Sequence, residues 1–164
     1  RFLLENDLDT LYRYCLLQET EESLCTYLDM SHALARRILS CRDQYETFSQ
    51  FANLLKTKEI TRTRIQRALL HMLLHIQKAP EQIPYARVLG FRKNSSALLG
   101  KIKKCGSIPL LTRLPDAAAV LKNAPQAMDL LNETTFASKL YESILAQKNS
   151  VSYVHEYRQQ IIIV

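Results

Sequence analysis

Apolar residues recur along the first half of the chain at spacings of three and four, interrupted by Asp, Ser and Thr where helices are expected to start. Asp7 is placed to cap a helix carrying Leu8, Leu11, Tyr12 and Cys15, and Thr20-Glu21-Glu22 opens one with Leu24, Cys25 and Leu28. Ser31 starts a third, with Leu34, Ile38 and Leu39 on one side and Arg36 and Arg37 outward; Thr47 caps a fourth with Phe48, Phe51, Leu54 and Leu55. Each is too short to persist unpacked, so the pattern predicts a bundle. The strongest helix opens at Thr61 and runs to Ile76. Ile65, Leu69, Met72, Leu73 and Ile76 form its apolar face, and Leu70 and Leu74 widen that face enough to predict a central rod buried on most sides.

The pattern changes at Pro80 and Pro84. Tyr85–Leu89 reads as a short strand, Ser95 or Ser96 caps a helix through Leu98, Leu99 and Ile102, and Ile108–Thr112 reads as a second strand, which together make a β-α-β unit. Helical periodicity resumes over 116–121 and 125–131, and again after Thr134 or Thr135, as a cap, with Phe136, Leu140, Tyr141, Ile144 and Leu145. The final stretch, Gln160–Val164, is apolar and β-branched, as a strand buried on both faces should be. The expected fold is mainly α: a helical bundle over residues 1–79, and a small α/β lobe over 80–164 packed on it, with about three short parallel strands.

Composition agrees with a packed, helical protein. The 164 residues are 47% hydrophobic and 23% charged, with 3 Gly and 5 Pro. The 8 Tyr and 5 Phe are scattered singly, which argues against a sheet that stacks bases. Cys15, Cys25, Cys41 and Cys105 form no C-x-x-C pair and predict buried free thiols rather than disulfides or zinc. No apolar run reaches membrane-span length and the start lacks the regions of a signal peptide, which predicts a cytoplasmic protein without membrane partners. A first residue that is Arg1 rather than Met suggests a domain cut from a longer protein.

Charge changes the picture. Residues 56–104 hold 12 of the 22 Lys and Arg but only 2 of the 16 acidic residues, Glu59 and Glu81, for a net +10 against −4 elsewhere. A basic centre between acidic ends attracts a polyanion, nucleic acid first. Its densest point is the start of the strongest helix. Arg62 and Arg64 occupy the first turn, where the dipole favours carboxylates; Arg67 follows, and Lys56 and Lys58 approach from the preceding loop. A phosphate there would meet backbone N–H groups, the dipole and guanidinium forks together. Alternatively, these arginines pair with Glu59 or with the acidic first half of the chain. Arg87, Arg92 and Lys93 form a second candidate phosphate-contacting set. Lys101, Lys103 and Lys104 sit where a helix C-terminus already favours cations.

No metal or catalytic signature accompanies the charge. His71 and His75 are one turn apart, but Met72 stands where a metalloprotease needs Glu, so the pair reads as structural. Walker, G-x-G-x-x-G and G-x-S-x-G motifs are absent, and no acid–base pair can be named.

Lys56-Thr57-Lys58-Glu59-Ile60-Thr61-Arg62-Thr63-Arg64-Ile65-Gln66-Arg67, then Leu69-Leu70-His71, Tyr85-Ala86-Arg87-Val88-Leu89-Gly90-Phe91 and Ala137-Ser138-Lys139-Leu140-Tyr141 follow one another in an order that resembles the C-terminal part of bacterial tRNA(Met) cytidine acetate ligases. The resemblance covers most of residues 48–164; the first 47 are less distinctive. It implies a parent enzyme that uses ATP, with Mg, and acetate to acetylate N4 of the wobble cytidine in elongator tRNA(Met). It also implies a nucleotidyltransferase domain upstream, carrying an H-x-x-H type signature that this chain lacks. The chain itself is then expected to hold no cofactor and no catalytic residue, and to position tRNA. By matching position, Arg62, Arg64 and Arg67 would contact tRNA phosphates, or ATP held by the upstream domain. The rival expectation is a helical scaffold whose basic window faces that domain's acidic surface. A DNA-binding helix-turn-helix is a weaker third.

Overall fold

Hydroxyl groups one residue ahead of the first turn set where most helices of the first unit begin, in a computed structural model that describes residues 2–164. The chain divides into two compact units between Ala79 and Pro80. The first holds a 3-10 helix at Glu5–Leu8, then α1 (Asp9–Gln18), α2 (Glu21–Leu24), α3 (His32–Cys41), a 3-10 turn at Arg42–Gln44, α4 (Phe48–Leu55) and α5 (Arg62–Leu73). Thr20 Oγ1 accepts from the Ser23 amide at 3.2 Å, Ser31 Oγ from Leu34 at 3.3 Å, Thr47 Oγ1 from Gln50 at 3.2 Å and Thr61 Oγ1 from Arg64 at 3.3 Å. Each cap is worth about 1 kcal/mol.

The first helix departs from expectation. Asp7 does not cap it; its carboxylate reaches back to accept from the Leu4 amide at 2.6 Å, closing the 3-10 turn that runs directly into α1.

The core of this unit is built where α1 and α4 meet α5 and α3 meets α4. Leu34, Ile38, Phe51, Leu55, Ile65, Leu69 and Met72 are each fully buried. Burial of a side chain of this size contributes roughly 1.5–3 kcal/mol, which is what holds helices too short to stand alone. Two expectations for α5 are corrected. Leu70 lies on the side away from that core and is 40% exposed, so the helix is not buried on most sides. The helix also ends at Leu73 rather than Ile76. His75 adopts the left-handed conformation (φ 56°), and its amide and that of Ile76 turn back onto the carbonyls of Met72 (3.2 Å) and His71 (2.8 Å). This is the Schellman arrangement, built on His instead of Gly.

The second unit contains β1 (Ala86–Arg87), β2 (Gly90–Phe91), a 3-10 turn at Lys93–Ser95, α6 (Ser96–Cys105), β3 (Leu110–Leu111), a 3-10 turn at Leu114–Asp116, α7 (Ala117–Val120), α8 (Pro125–Asn149), a 3-10 turn at Glu156–Arg158 and β4 (Ile162–Ile163). β1 pairs parallel with β3 through Ala86↔Leu110 and Arg87↔Leu111, closing the expected β-α-β unit around α6. The expected single strand Tyr85–Leu89 and three-stranded arrangement are corrected. The chain leaves one ladder after Arg87 and enters another at Gly90, so β2 pairs parallel with β4 in a separate two-stranded sheet. At Gly90 the two strands lie so close that a Cβ would come within 2.9 Å of the Ile162 carbonyl oxygen. Gly is what permits the approach.

The core of this unit is Leu111, Leu114, Ala117, Leu121, Ala127 and Leu131. The last strand is not in it. Ile162 and Ile163 are 67% and 60% exposed, because β4 has β2 along one edge and no layer over its faces. Two helices expected over 125–145 are one, α8. Thr134 and Thr135 do not cap anything; their hydroxyls donate to the carbonyls of Leu130 (3.0 Å) and Leu131 (2.6 Å) one turn back, which satisfies them inside a continuous helix. The cysteines are corrected too: Cys15, Cys25 and Cys41 are only half-buried, and Cys105, at the exposed end of α6, is open to solvent. Among the described residues no helix is long and apolar enough to cross a membrane.

Candidate functional site

The α4–α5 connection carries the densest positive charge of the first unit. Its loop is shaped by Thr57, whose Oγ1 accepts from the amides of Glu59 (3.3 Å) and Ile60 (3.0 Å), while the Thr57 amide donates to the Ile60 carbonyl at 3.2 Å. Lys56 and Lys58 are thereby held exposed beside the N-terminus of α5. The Thr61 cap takes the Arg64 amide, which leaves the amides of Arg62 and Thr63, the first two of the helix, without an intrahelical partner.

The three arginines of α5 meet different fates. Arg62 Nη2 donates to Glu5 Oε1 at 2.6 Å, and Gln66 Nε2, one turn along, donates to the other oxygen of the same carboxylate at 2.6 Å. Ser49 Oγ donates to Glu5 as well. These contacts, the Ser49 hydroxyl foremost, hold the Glu5 carboxyl below its usual range against the opposing effect of burial. Arg67 forms a fork with Asp29, Nε at 3.1 Å and Nη2 at 3.2 Å. Asp29 takes the left-handed conformation (φ 64°), one that short polar side chains tolerate better than most. Among the described residues, Arg64 makes no side-chain hydrogen bond or ion pair. The alternative of internal pairing therefore describes Arg62 and Arg67, whereas Arg64, Lys56 and Lys58 hold no carboxylate among the described residues.

The second candidate set separates likewise. Arg87 Nη1 donates to Glu156 Oε1 within the second unit, an ion pair whose members are 28% and 11% exposed, so this arginine closes the fold between β1 and the 3-10 turn after α8. Arg92 and Lys93 are exposed ahead of α6 and hold no carboxylate among the described residues.

His71 and His75 do not act as a pair. His71 Nδ1 lies 3.0 Å from the Leu28 carbonyl, and His75 Nδ1 lies 3.3 Å from the Tyr27 hydroxyl, which donates to Glu19 Oε1 at 2.9 Å. Burial and the Glu19 carboxylate push the Tyr27 phenol up to about 12. No cluster of three or more His, Cys, Asp or Glu among the described residues is placed to hold a metal ion. Sequence reasoning missed the partners Glu5 and Asp29. Both lie in the acidic first half, which the sequence marks only as a region, and a capping role for the neighbouring Asp7 gives no hint of Glu5.

The family model described as HIGH Nucleotidyl Transferase matches residues 1–156. The tRNA(Met) cytidine acetate ligase of Thermosipho melanesiensis is 29% identical over 89% of this chain and 41% of its own length; that of Halothermothrix orenii is 32% identical over 80% and 34%. Crystal structures of Thermotoga maritima TmcAL, one apo and one bound with alpha-thio ATP, superpose with TM-scores of 0.86 and 0.85 at 17% and 18% identity. Each of the two covers 97% of this chain, against 40% and 42% of the TmcAL chains, a likeness of fold. The chain spans about two-fifths or less of these relatives. The likeness to the ligases seen in the sequence holds. The nucleotidyl transferase match, expected of a domain upstream, falls on residues 1–156 of this chain itself.

Proposed function

We propose, since the chain belongs to the HIGH nucleotidyl transferase family, that it forms part of an ATP-dependent ligase that acetylates the wobble cytidine of elongator tRNA(Met), and that it supplies a phosphate-contacting surface for the tRNA. The observation that carries this reading is the unpaired Arg64 beside exposed Lys56 and Lys58 at the free N-terminal amides of α5. Three cations held against a helix dipole that disfavours them gain by accepting an anion, whose oxygens the amides can also reach. Such contacts position the RNA backbone and carry no base specificity. ATP with Mg, and acetate, are the co-substrates this reading assigns to the whole enzyme. On the second unit, exposed Arg92 and Lys93 are a separate candidate for phosphate contact.

The test replaces Lys56, Lys58 and Arg64 with Gln and measures tRNA binding across salt concentrations. For every phosphate that the variant no longer neutralises, the slope of log affinity against log salt becomes shallower by about 0.7–0.9. An unchanged slope and affinity remove the reading. A second reading, an interdomain scaffold without RNA contact, is favoured by one observation: Arg62, Arg67 and Arg87 already hold carboxylates within their own units. It requires that the triple variant lose affinity for another part of the enzyme while tRNA binding stays as it was.

A further inference from the structure

A cavity of about 380 Å³ opens in the second unit where the 3-10 turn at Glu156–Arg158 and the approach to β4 face the turn before α7. It lies outside the basic window of the sequence, yet it brings together Arg113 and Arg158, 45 positions apart. Arg158 has no side-chain hydrogen bond or ion pair among the described residues. Arg113 has only Asp116, at 3.9 Å, with both side chains at least half exposed, a pairing worth little in water. The side-chain amides of Gln159 and Gln160 also line the cavity without partners among the described residues, and Pro115, Ile161 and Ile163 supply apolar wall. Lys139 Nζ lies 5.7 Å over the ring of Tyr157, another lining residue, and adds a third cation nearby.

We propose that this cavity is a nucleotide site, in which Arg113 and Arg158 take the phosphate, the amides of Gln159 and Gln160 read the edge of the base, and the Pro and Ile surfaces receive the base and ribose. The lining chooses the ligand class. A bare anion uses the guanidiniums and leaves the apolar wall wet, whereas an apolar ligand strips water from two cations without replacing it. A phosphate ester with a flat, partly polar body satisfies both halves, and the volume falls within the range of about 300–1,000 Å³ that small-ligand sites occupy. The source is a free nucleotide or one nucleotide of an RNA strand; the chemistry is shared. The site is independent of the α5 surface and stands whether or not Arg64 contacts RNA.

Isotope-labelled protein is titrated with AMP, inorganic phosphate, adenosine and ApApA while the amide resonances of residues 157–161 are followed, and the series is repeated on Arg158→Gln and on Arg113→Gln/Arg158→Gln. AMP is expected to move those resonances, to bind at least about tenfold more tightly than phosphate or adenosine, and to weaken by about tenfold or more in the double variant, with the melting temperature unchanged because both side chains are exposed. ApApA tighter than AMP assigns the site to a strand, and the reverse order to a free nucleotide; either supports it. No response at 157–161, equal AMP affinity in the variants, or phosphate binding as well as AMP overturns the proposal.

Discussion

Glu5→Gln is the perturbation that separates structural from functional arginines most cleanly. In the native protein this one carboxylate receives Ser49 Oγ, Gln66 Nε2 and Arg62 Nη2, and so joins the 3-10 helix at Glu5–Leu8 to both α4 and α5. A Gln in its place retains one acceptor oxygen but turns an NH2 group toward other donors, and it removes the charge that assists all three bonds. Arg62 Nε is already buried without a partner, so losing the Glu5 charge leaves this guanidinium less well satisfied still. Charge-assisted bonds net about 1.5–3 kcal/mol each when buried. Here the Arg62 and Glu5 side chains are 40% and 34% exposed, and solvent screening reduces that. The expected loss is about 1–2 kcal/mol in total, or about 4–8 °C in melting temperature per kcal/mol for a unit of this size.

The dependence on pH fixes the cause. The folded-state pKa of Glu5 lies below its ordinary value of 4.5, so the unfolded chain binds more protons in between. Its contribution is then fully present above that value and is lost as pH falls through the lowered one. Urea denaturation of wild type and variant at a series of pH values from 7 to 3 measures this directly. The two curves should differ most at neutral pH and converge in acid. A difference under about 0.3 kcal/mol at pH 7, well below the normal worth of one such bond, or a gap that does not close in acid, refutes the reasoning and frees Arg62 to be a phosphate contact.

Phe51→Ala should destabilise by about 3–5 kcal/mol because Phe51 is fully buried, whereas Leu70→Ala, on the exposed side of α5, should change the urea midpoint by less than about 0.5 kcal/mol equivalent; equal effects would mean the face of α5 is misassigned. Tyr27 should remain protonated until about pH 12, above the ordinary tyrosine value of about 10, seen as a late step in the phenolate absorbance that Tyr27→Phe removes. Because its folded pKa is raised, its stabilisation is present below the ordinary value and vanishes as pH climbs through the raised one; a single step near 10 counts against its burial. Gly90→Ala puts a methyl within 2.9 Å of the Ile162 carbonyl oxygen, so amide exchange at Ile162 and Val164 should quicken while exchange at Ala86 and Val88, in the other ladder, stays slow. Unaltered protection at Ile162 would show that β2 and β4 are not so closely paired.

How much was legible in the chain follows the reach of each interaction. Thr20, Ser31, Thr47 and Thr61 could be named as helix starts because a cap spans three residues and both ends of its hydrogen bond stand in the same short phrase. The buried stripe of α4, the basic start of α5 and the β-α-β unit were readable for the same reason, since period and local charge need no knowledge of neighbours. Tertiary structure decided the rest. Thr134 and Thr135 have the composition of caps, and only the packing of Leu131 and Thr135 into a core shows that they bond backward inside one helix. The β-branched run Ile161–Val164 has the composition of a buried strand, but burial requires layers that other segments must supply, and none covers it. Composition alone could not say that Glu5 would reach Arg62 across 57 positions, Asp29 reach Arg67 across 38, and neither reach Arg64. An arginine is written the same way whether a carboxylate meets it or not; the fold determines which guanidinium remains free for a ligand.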